Sequence, residues 1–355
     1  MYAILVYTFK ITSQNHLRRQ KTMRNDEVKY YVSPERLEKY RKLFPELFAE
    51  VSRAAELICE SEDNLEYLGI LIDGLCGGIP QDFVFCEEEN IPLNYAPMFA
   101  LLTLLEECEE EIKRRNFDDE TVTKIYAKFE AILKENKEKF GFYGYSKALY
   151  FWGKHYLKPD IFKIGTLQYE IKKYDCDDIY RDENGCLVPL RNASVQNGVC
   201  IGTSIKRGGA DGETVSFKGE PALLKGDGVI SVHIPAKADI TEETCRKNNK
   251  TALEFFARYY PEYSIKAFMC HSWLMDPQLS ELLKPDSNIL GFQKFFAPTL
   301  HTSSSGDEAI YFVFGKRPKN LEELPETTTL TRSFKKRYLE NNPVYAHLGI
   351  HFLEK

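Results

Sequence analysis

Residues 229–278 constrain this chain more than any other stretch, because two short apolar runs there flank a single helical segment. Val229 to Ile234 and Ile265 to Met269 are rich in β-branched or aromatic residues and bounded by Gly, Pro and Ser, the pattern of strands buried in an α/β sheet. Each run ends in polar chemistry. His233 closes the first, and Cys270, His271, Ser272 and Trp273 follow the second. In open α/β sheets, functional side chains gather at such carboxyl ends of strands.

The surrounding order extends this pattern. Thr241, with Thr244 three positions on, caps a helix carrying Phe255, Phe256 and Tyr259. Asp276-Pro277 opens another helix, Ala309 to Phe314 reads as a strand, Leu330 to Leu339 as a helix, and Tyr345 to Leu353 as a closing strand. Upstream, Ile161 to Tyr174 alternates as one strand in which Gly165 acts as a bulge. Asn184-Gly185 and the glycines from Gly208 to Gly212 mark turns between further strands, Gly198 to Lys206 and Glu213 to Lys218 among them.

The first part of the chain is helical. Ser33 before Pro34 is an N-cap followed by proline at the first helical position, and Pro45 restarts a helix with Val51, Ala54, Ala55 and Ile58 on one face. A second periodic run leads from Asp63 to Leu75, and Gln81 to Pro97 reads as loop. The acidic run Glu106 to Glu111 is a solvated helix face, since consecutive carboxylates point around a helix and do not converge on a metal. Asp118 caps the next helix, whose apolar face is Val122, Ile125, Phe129, Ile132 and Leu133, and Gly141 ends it. The chain therefore divides into a tail over 1–24, including Met23 as an alternative start, a helical domain over 25–155 and a mixed α/β domain over 156–355. Two domains also suit 355 residues, more than one hydrophobic core comfortably holds.

Composition narrows the function classes. A net charge of −6 argues against a nucleic-acid surface, and Lys335-Lys336-Arg337 reads as a solvated helix face. Nine cysteines without a C-x-x-C pair argue against both a zinc site and a disulfide framework, and suit a reducing cytoplasm. The apolar run Tyr2 to Phe9 is too short to span a bilayer and lacks the flanks of a secretion signal. Neither a membrane nor a nucleic acid is an expected partner, no metal is expected, and the oligomeric state is left open.

Together the segments Ile164–Glu170, His233–Pro235, Cys270–Gln278, Ser287–Gln293 and Val313–Gly315 resemble a family of two-domain acyltransferase-like proteins. That family joins a helical N-terminal domain to an N-acetyltransferase-like (GNAT-like) C-terminal domain with a mixed sheet. The resemblance implies an α/β (α+β) fold and acyl-CoA, such as acetyl-CoA, as co-substrate. It also implies direct transfer of the acyl group to an amine or hydroxyl of a small-molecule acceptor. The catalytic candidates are His233, Cys270, His271 and Ser272. The cofactor side falls to Ile234, Lys237, Thr241 and Asn288, and the substrate side to Gln168, Glu170, Trp273, Asp276 and Gln278.

Each candidate has a structural alternative. An imidazole titrates near neutrality and suits His233 as a general base, but a strand-end histidine also serves by bonding to backbone. Adjacent strand residues face opposite ways, so Cys270 and His271 are no obvious couple, and a buried apolar cysteine is the plainer reading. Ser272 and Asp276 fit as caps, Asn288 as a cap or a cofactor contact, and Trp273 as core. The turn Pro235 to Thr241 offers Lys237 but lacks the glycines that usually cradle a pyrophosphate. The alternative function is accordingly an idle GNAT-like scaffold that binds a metabolite, a carbohydrate or a protein partner. Arg207 to Gly212 is glycine-rich, but it precedes a strand-like run and reads as a hairpin turn.

Overall fold

The computed structural model describes residues 23–80, 83, 85, 91–144, 147–296, 299–301, 306–314, 318 and 320–353. The expected tail, apart from Met23 and Arg24, lies outside these, as do parts of the expected loops around Gln81 and Thr302. The chain divides into two compact units, with the boundary between Phe162 and Lys163.

The first unit is helical, with α1 (Asn25–Tyr31), α2 (Pro34–Leu43), α3 (Phe48–Cys59), α4 (Glu62–Gly77), α5 (Ile91–Leu102), α6 (Leu105–Arg115), α7 (Asp119–Phe140) and α8 (Lys147–Leu157). Local chemistry sets several of the boundaries. The Ser33 hydroxyl accepts from Arg36 N, Ser61 from Asn64 N and Asp118 from Thr121 N, satisfying amides that a helix start leaves orphaned. Gly141 ends α7 in a left-handed conformation at φ +85°. On α7, Ile125, Phe129, Ile132 and Leu133 are buried as the periodicity predicts. Two acidic residues of α6 are paired with α2, Glu106 with Arg36 at 2.6 Å and Glu109 with Lys39 at 2.9 Å. The loop reading of Gln81 to Pro97 is corrected from Ile91 onward, where α5 begins and runs through Pro97. Proline inside a helix costs about 3 kcal/mol. Around it, Tyr95, Ala96, Met98, Phe99 and Leu101 are buried almost completely, and that burial offsets the penalty.

The second unit is built on a six-stranded mixed sheet of order β1-β2-β7-β8-β10-β9. Its strands are β1 (Ile161–Ile164), β2 (Leu167–Lys173), β7 (Gly228–His233), β8 (Ile265–Ser272), β9 (Thr299–His301) and β10 (His347–Phe352). The expected single strand over 161–174 is two strands. Gly165 sits at φ +60° in the turn between them, where an added Cβ would meet the Asn248 amide at 2.1 Å, so glycine is required there for both reasons. Between β2 and β7 the chain makes a closed four-stranded barrel of β3 (Asp178–Asp182), β4 (Leu187–Gln196), β5 (Val199–Ile205) and β6 (Asp211–Leu223). Tyr180, Leu190 and Cys200 fill its core. At its base Tyr174, Ile179 and Leu223 pack with Val229, Ala267 and Met269 on the sheet.

The opposite face of the sheet is covered by helices. On α9 (Glu242–Tyr259) Asn249 Oδ1 accepts from Tyr169 Oη at 2.8 Å. After α10 (Asn288–Phe295), Phe296 approaches β10 so closely that a Cβ on Gly349 would lie 2.7 Å from it. Two further helices follow, α11 (Asp307–Phe314) and α12 (Thr329–Leu339). The strand expected at Ala309 to Phe314 is therefore a helix. The aromatic and β-branched letters suit a strand, but Ala309 and Ile310 bury one helical face, and Asp307 and Glu308 supply the acidic first turn a helix favours. The basic cluster is corrected as well. Lys336 is exposed, whereas Arg337 is buried against Gln278 and Glu281. No helix among the described residues is long and apolar enough to cross a membrane.

Candidate active site

The site begins where a ladder ends. Strands β7 and β8 run parallel and pair from Gly228 with Ile265 to Ser231 with Met269. The pairing stops there, although β7 continues to His233 and β8 to Ser272. Each strand stays bonded to its outer neighbour, Gln168 opposite His233 and His347 opposite Ser272. The sheet thus opens between its two central strands at their carboxyl ends, leaving backbone groups there for something other than each other.

Register fixes what faces this opening. Residues paired across a ladder share a face, so Gln168, Glu170, Ser231 and His233 lie on one side, together with Met269 and His271. On that side His233 Nε2 meets Glu170 Oε2 at 2.9 Å, with side chains only 9% and 13% exposed. A carboxylate in this position fixes the tautomer and ring orientation of an imidazole. Lys172 lies two residues along β2 on the same face. Burial works against its charge, but Glu170 and Asp175 prevail and raise its pKa. His271 is half-buried, and burial pushes its imidazole down to about 4, with the charges of His347 and Lys172 adding to the shift. It is therefore neutral at neutral pH and able to donate or accept a hydrogen bond.

Cys270 stands on the other face of β8, fully enclosed, and burial drives its thiol well above the ordinary range. A thiol held protonated is a poor nucleophile. Ser272 is buried, and its hydroxyl accepts from Leu274 N, starting the 3-10 turn Trp273–Met275. Trp273 packs edge-on against Phe334 at 5.7 Å.

Asp276 is 0% exposed and is the centre of a latch. Its carboxylate receives both Arg207 terminal nitrogens at 2.8 Å, Gln278 N at 3.0 Å and Tyr345 N at 2.8 Å. Burial raises its pKa, but Arg207 and the two N–H donors outweigh this and hold the carboxyl below its ordinary value. Arg207 also donates to Gln278 Oε1 at 2.8 Å and to Pro343 O at 2.9 Å, and lies over the Tyr345 ring. Gln278 accepts from Arg337 as well. Asp276 and Gln278 thus bind the β5–β6 hairpin to the turn after β8, and the hairpin reading of Arg207 to Gly212 holds. Asp276 also starts the 3-10 turn Pro277–Glu281, shorter than the helix expected at that point.

On the expected cofactor side, Ile234 follows β7 directly and Lys237 takes a left-handed φ of +63° in an exposed turn. Thr241 is the N-cap residue of α9 by position, yet its side chain makes no cap bond. Asp239 instead braces the turn before the helix, accepting from Thr241 N at 3.0 Å and from the Thr244 hydroxyl at 2.7 Å. Asn288 is the first residue of α10, and Ser287 caps that helix by accepting from Ile289 N. The structure thus brings His233, Glu170, Gln168 and His271 to one face of one opening. Cys270 faces away from it, and Asp276 and Gln278 lie in the latch. Sequence reasoning missed Lys172, which strand alternation from Glu170 would have found, and Arg207, for which no local signal exists.

A family model described as the GNAT-like C-terminal domain matches residues 161–351. This chain belongs to that family. Its fold, with a helical N-terminal domain before the GNAT-like sheet, is also found in solved acyltransferases. One in complex with decanoyl-CoA and teicoplanin has a TM-score of 0.54 at 17% identity, over 94% of this chain and 90% of that one. One in complex with decanoyl-CoA has a TM-score of 0.53 at 18% identity, over 94% of this chain and all (100%) of the other. A mutant acyltransferase with octanoyl-CoA gives 0.54 at 17%, over 91% and 88%. At such identities the likeness is one of fold. No curated protein matches the chain in sequence.

Proposed function

We propose that this GNAT-like protein transfers an acyl group from acyl-CoA to an amine or hydroxyl of a small acceptor. The observation that carries this reading is the opened β7–β8 ladder with the His233–Glu170 pair on one of its faces. A thioester laid into the opening would have its carbonyl polarised by a strand N–H. On the His233 face an acceptor would give its proton to the imidazole, with Glu170 orienting the ring and balancing the charge that forms. Neutral His271 and Gln168 border the same space and orient the acceptor. Lys237 supplies positive charge for the CoA phosphates. The Asp239 carboxylate lies against the start of α9, bonded to Thr241 and Thr244, so this phosphate contact differs from a glycine-rich cradle. The acyltransferases of the same fold were crystallised with octanoyl- and decanoyl-CoA, so medium acyl chains belong beside acetyl-CoA among the donors to test.

The test is binding followed by turnover. A donor that binds the folded chain raises its thermal midpoint, by about 2.7 kcal/mol of stabilisation at a hundredfold excess over Kd. Acetyl-, octanoyl- and decanoyl-CoA should separate in this assay, and the best binder should release free thiol when amine and hydroxyl acceptors are added. A flat midpoint with all three, and no thiol release, would leave the scaffold reading in its place.

A further inference from the structure

Two enclosed polar side chains on the His233 face lack a partner in the protein. Gln168 and Ser231 are only 6% and 5% exposed, and neither the Gln168 amide nor the Ser231 hydroxyl makes a hydrogen bond among the described residues. Register sets both beside the catalytic pair. Gln168 lies opposite His233 and Ser231 opposite Glu170, so the four make a square on β2 and β7. The His233–Glu170 bond runs along one diagonal, and Gln168 and Ser231 hold the other two corners. Ser231 is also the last β7 residue paired with β8, at the root of the opening. A buried amide or hydroxyl left unpaired costs stability, so its partner is a water or a ligand. Both groups donate and accept without charge, which matches a hydroxyl.

Resting on the acyltransferase reading, we propose that the acceptor is an uncharged polyol, acylated on a hydroxyl at His233 to give an ester, with Gln168 and Ser231 binding a neighbouring hydroxyl. A hydroxyl is a weak nucleophile until its proton is withdrawn as the new bond forms. An imidazole steadied by a carboxylate is the arrangement that withdraws it. With Nε2–H given to Glu170, the imidazole takes the proton on Nδ1. The acceptor oxygen bonds to the acyl carbon, and the carbon–sulfur bond breaks with its electron pair on sulfur. Sulfur then takes the proton from His233, and the enzyme is restored. One proton leaves the acceptor and one base cycles. An amine arrives as an ammonium ion and has two protons to lose, one before attack and one after. Among the described residues of β2, β7 and β8 no second base faces this side. Burial pushes His271 down to about 4, with His347 and Lys172 adding to the shift, and Lys172 stays charged because Glu170 and Asp175 outweigh its burial.

The experiment offers matched alcohols and amines, glycerol against 2-amino-1,3-propanediol and glucose against glucosamine, to the protein with its best-binding acyl-CoA. Free thiol reports the rate, and hydroxylamine sorts the products because it cleaves esters and spares amides. The alcohol of each pair should have the higher kcat/KM, by about tenfold or more, and its product should be cleaved. Preference for the amines, or no thiol release with either alcohol from a protein that binds acyl-CoA, would overturn the assignment. Gln168→Leu should raise KM for the polyol by about tenfold with kcat less affected, and should keep the thermal shift given by acyl-CoA. An unchanged KM would remove Gln168 from the acceptor. Ser231→Ala supplies a readout without substrate. A hydroxyl bonded to nothing in the protein gives the fold nothing, so the urea midpoint should hold or rise. A lowered midpoint would assign that hydroxyl to the fold instead. A wild type whose thermal midpoint ignores every acyl-CoA overturns the acyltransferase reading itself, and the polyol assignment with it.

Discussion

Replacing Arg207 by Met probes the latch at Asp276, where the structure allows a magnitude to be worked. The carboxylate is wholly buried and accepts four hydrogen bonds, two of them from Arg207. Removing one partner of a buried ion pair costs about 3–5 kcal/mol, because the other charge is left uncompensated. The Gln278 and Tyr345 N–H groups remain, so the lower end, about 3 kcal/mol, is expected. Asp276→Asn should cost a similar amount. The double variant removes both charges and should fall well short of the sum of about 6 kcal/mol. Urea unfolding followed by fluorescence reads this out if Trp152, in the helical unit, is first replaced by Phe, leaving Trp273 beside the latch as reporter. The pH sign is also fixed. The folded carboxyl titrates below its ordinary value of 3.8, so its contribution is full above that value and is lost as pH falls through the folded pKa. The gap between wild type and Arg207→Met should therefore close below about pH 4. A cost under about 1 kcal/mol, the range of an exposed pair, or strict additivity in the double variant, would refute the reasoning.

Replacing His233 by Ala should lower turnover by about 10²–10⁴-fold, and because it takes the imidazole away from the enclosed Glu170 carboxylate it should lower the urea midpoint as well; retained turnover in the folded variant would remove His233 as the base. Glu170→Gln should cost on the order of tenfold in kcat, and a loss confined to KM would speak against its orienting role. Cys270→Ala should retain turnover, and the native protein should resist alkylation at this position; a modified Cys270 in a digest of folded protein would contradict its burial.

Much of this architecture is legible in the letters, for reasons that also mark where legibility ends. Strands β7 and β8 and helix α9 follow from apolar runs and caps because their neighbours in sequence are their neighbours in space. The barrel does not follow. Turn glycines mark the runs that form β5 and β6, but closure depends on β3 meeting β6 in the register Asp182 with Gly219, which no local pattern encodes. Arg207 and Asp276 lie 69 residues apart, and only the fold joins them. At Ala309 to Phe314 the β-type side chains outweighed the acidic pair before them, and α5 hid behind Pro97. On the site face, His233, Glu170 and Gln168 were reachable because a strand period of two puts them on one side of adjacent strands.

The barrel's attachment has a mechanical meaning. It leaves the sheet after β2 and returns before β7, and at that junction Tyr174 N bonds to Asp227 O at 2.7 Å and Gly226 N to Tyr174 O at 2.8 Å. Its β5–β6 hairpin is pinned separately through Arg207. A body held at one end swings like a flap, whereas one held at two ends works as a strut. The barrel is a strut between the root of β7 and the turn that follows β8, and so fixes how far apart the two halves of the split sheet can stand.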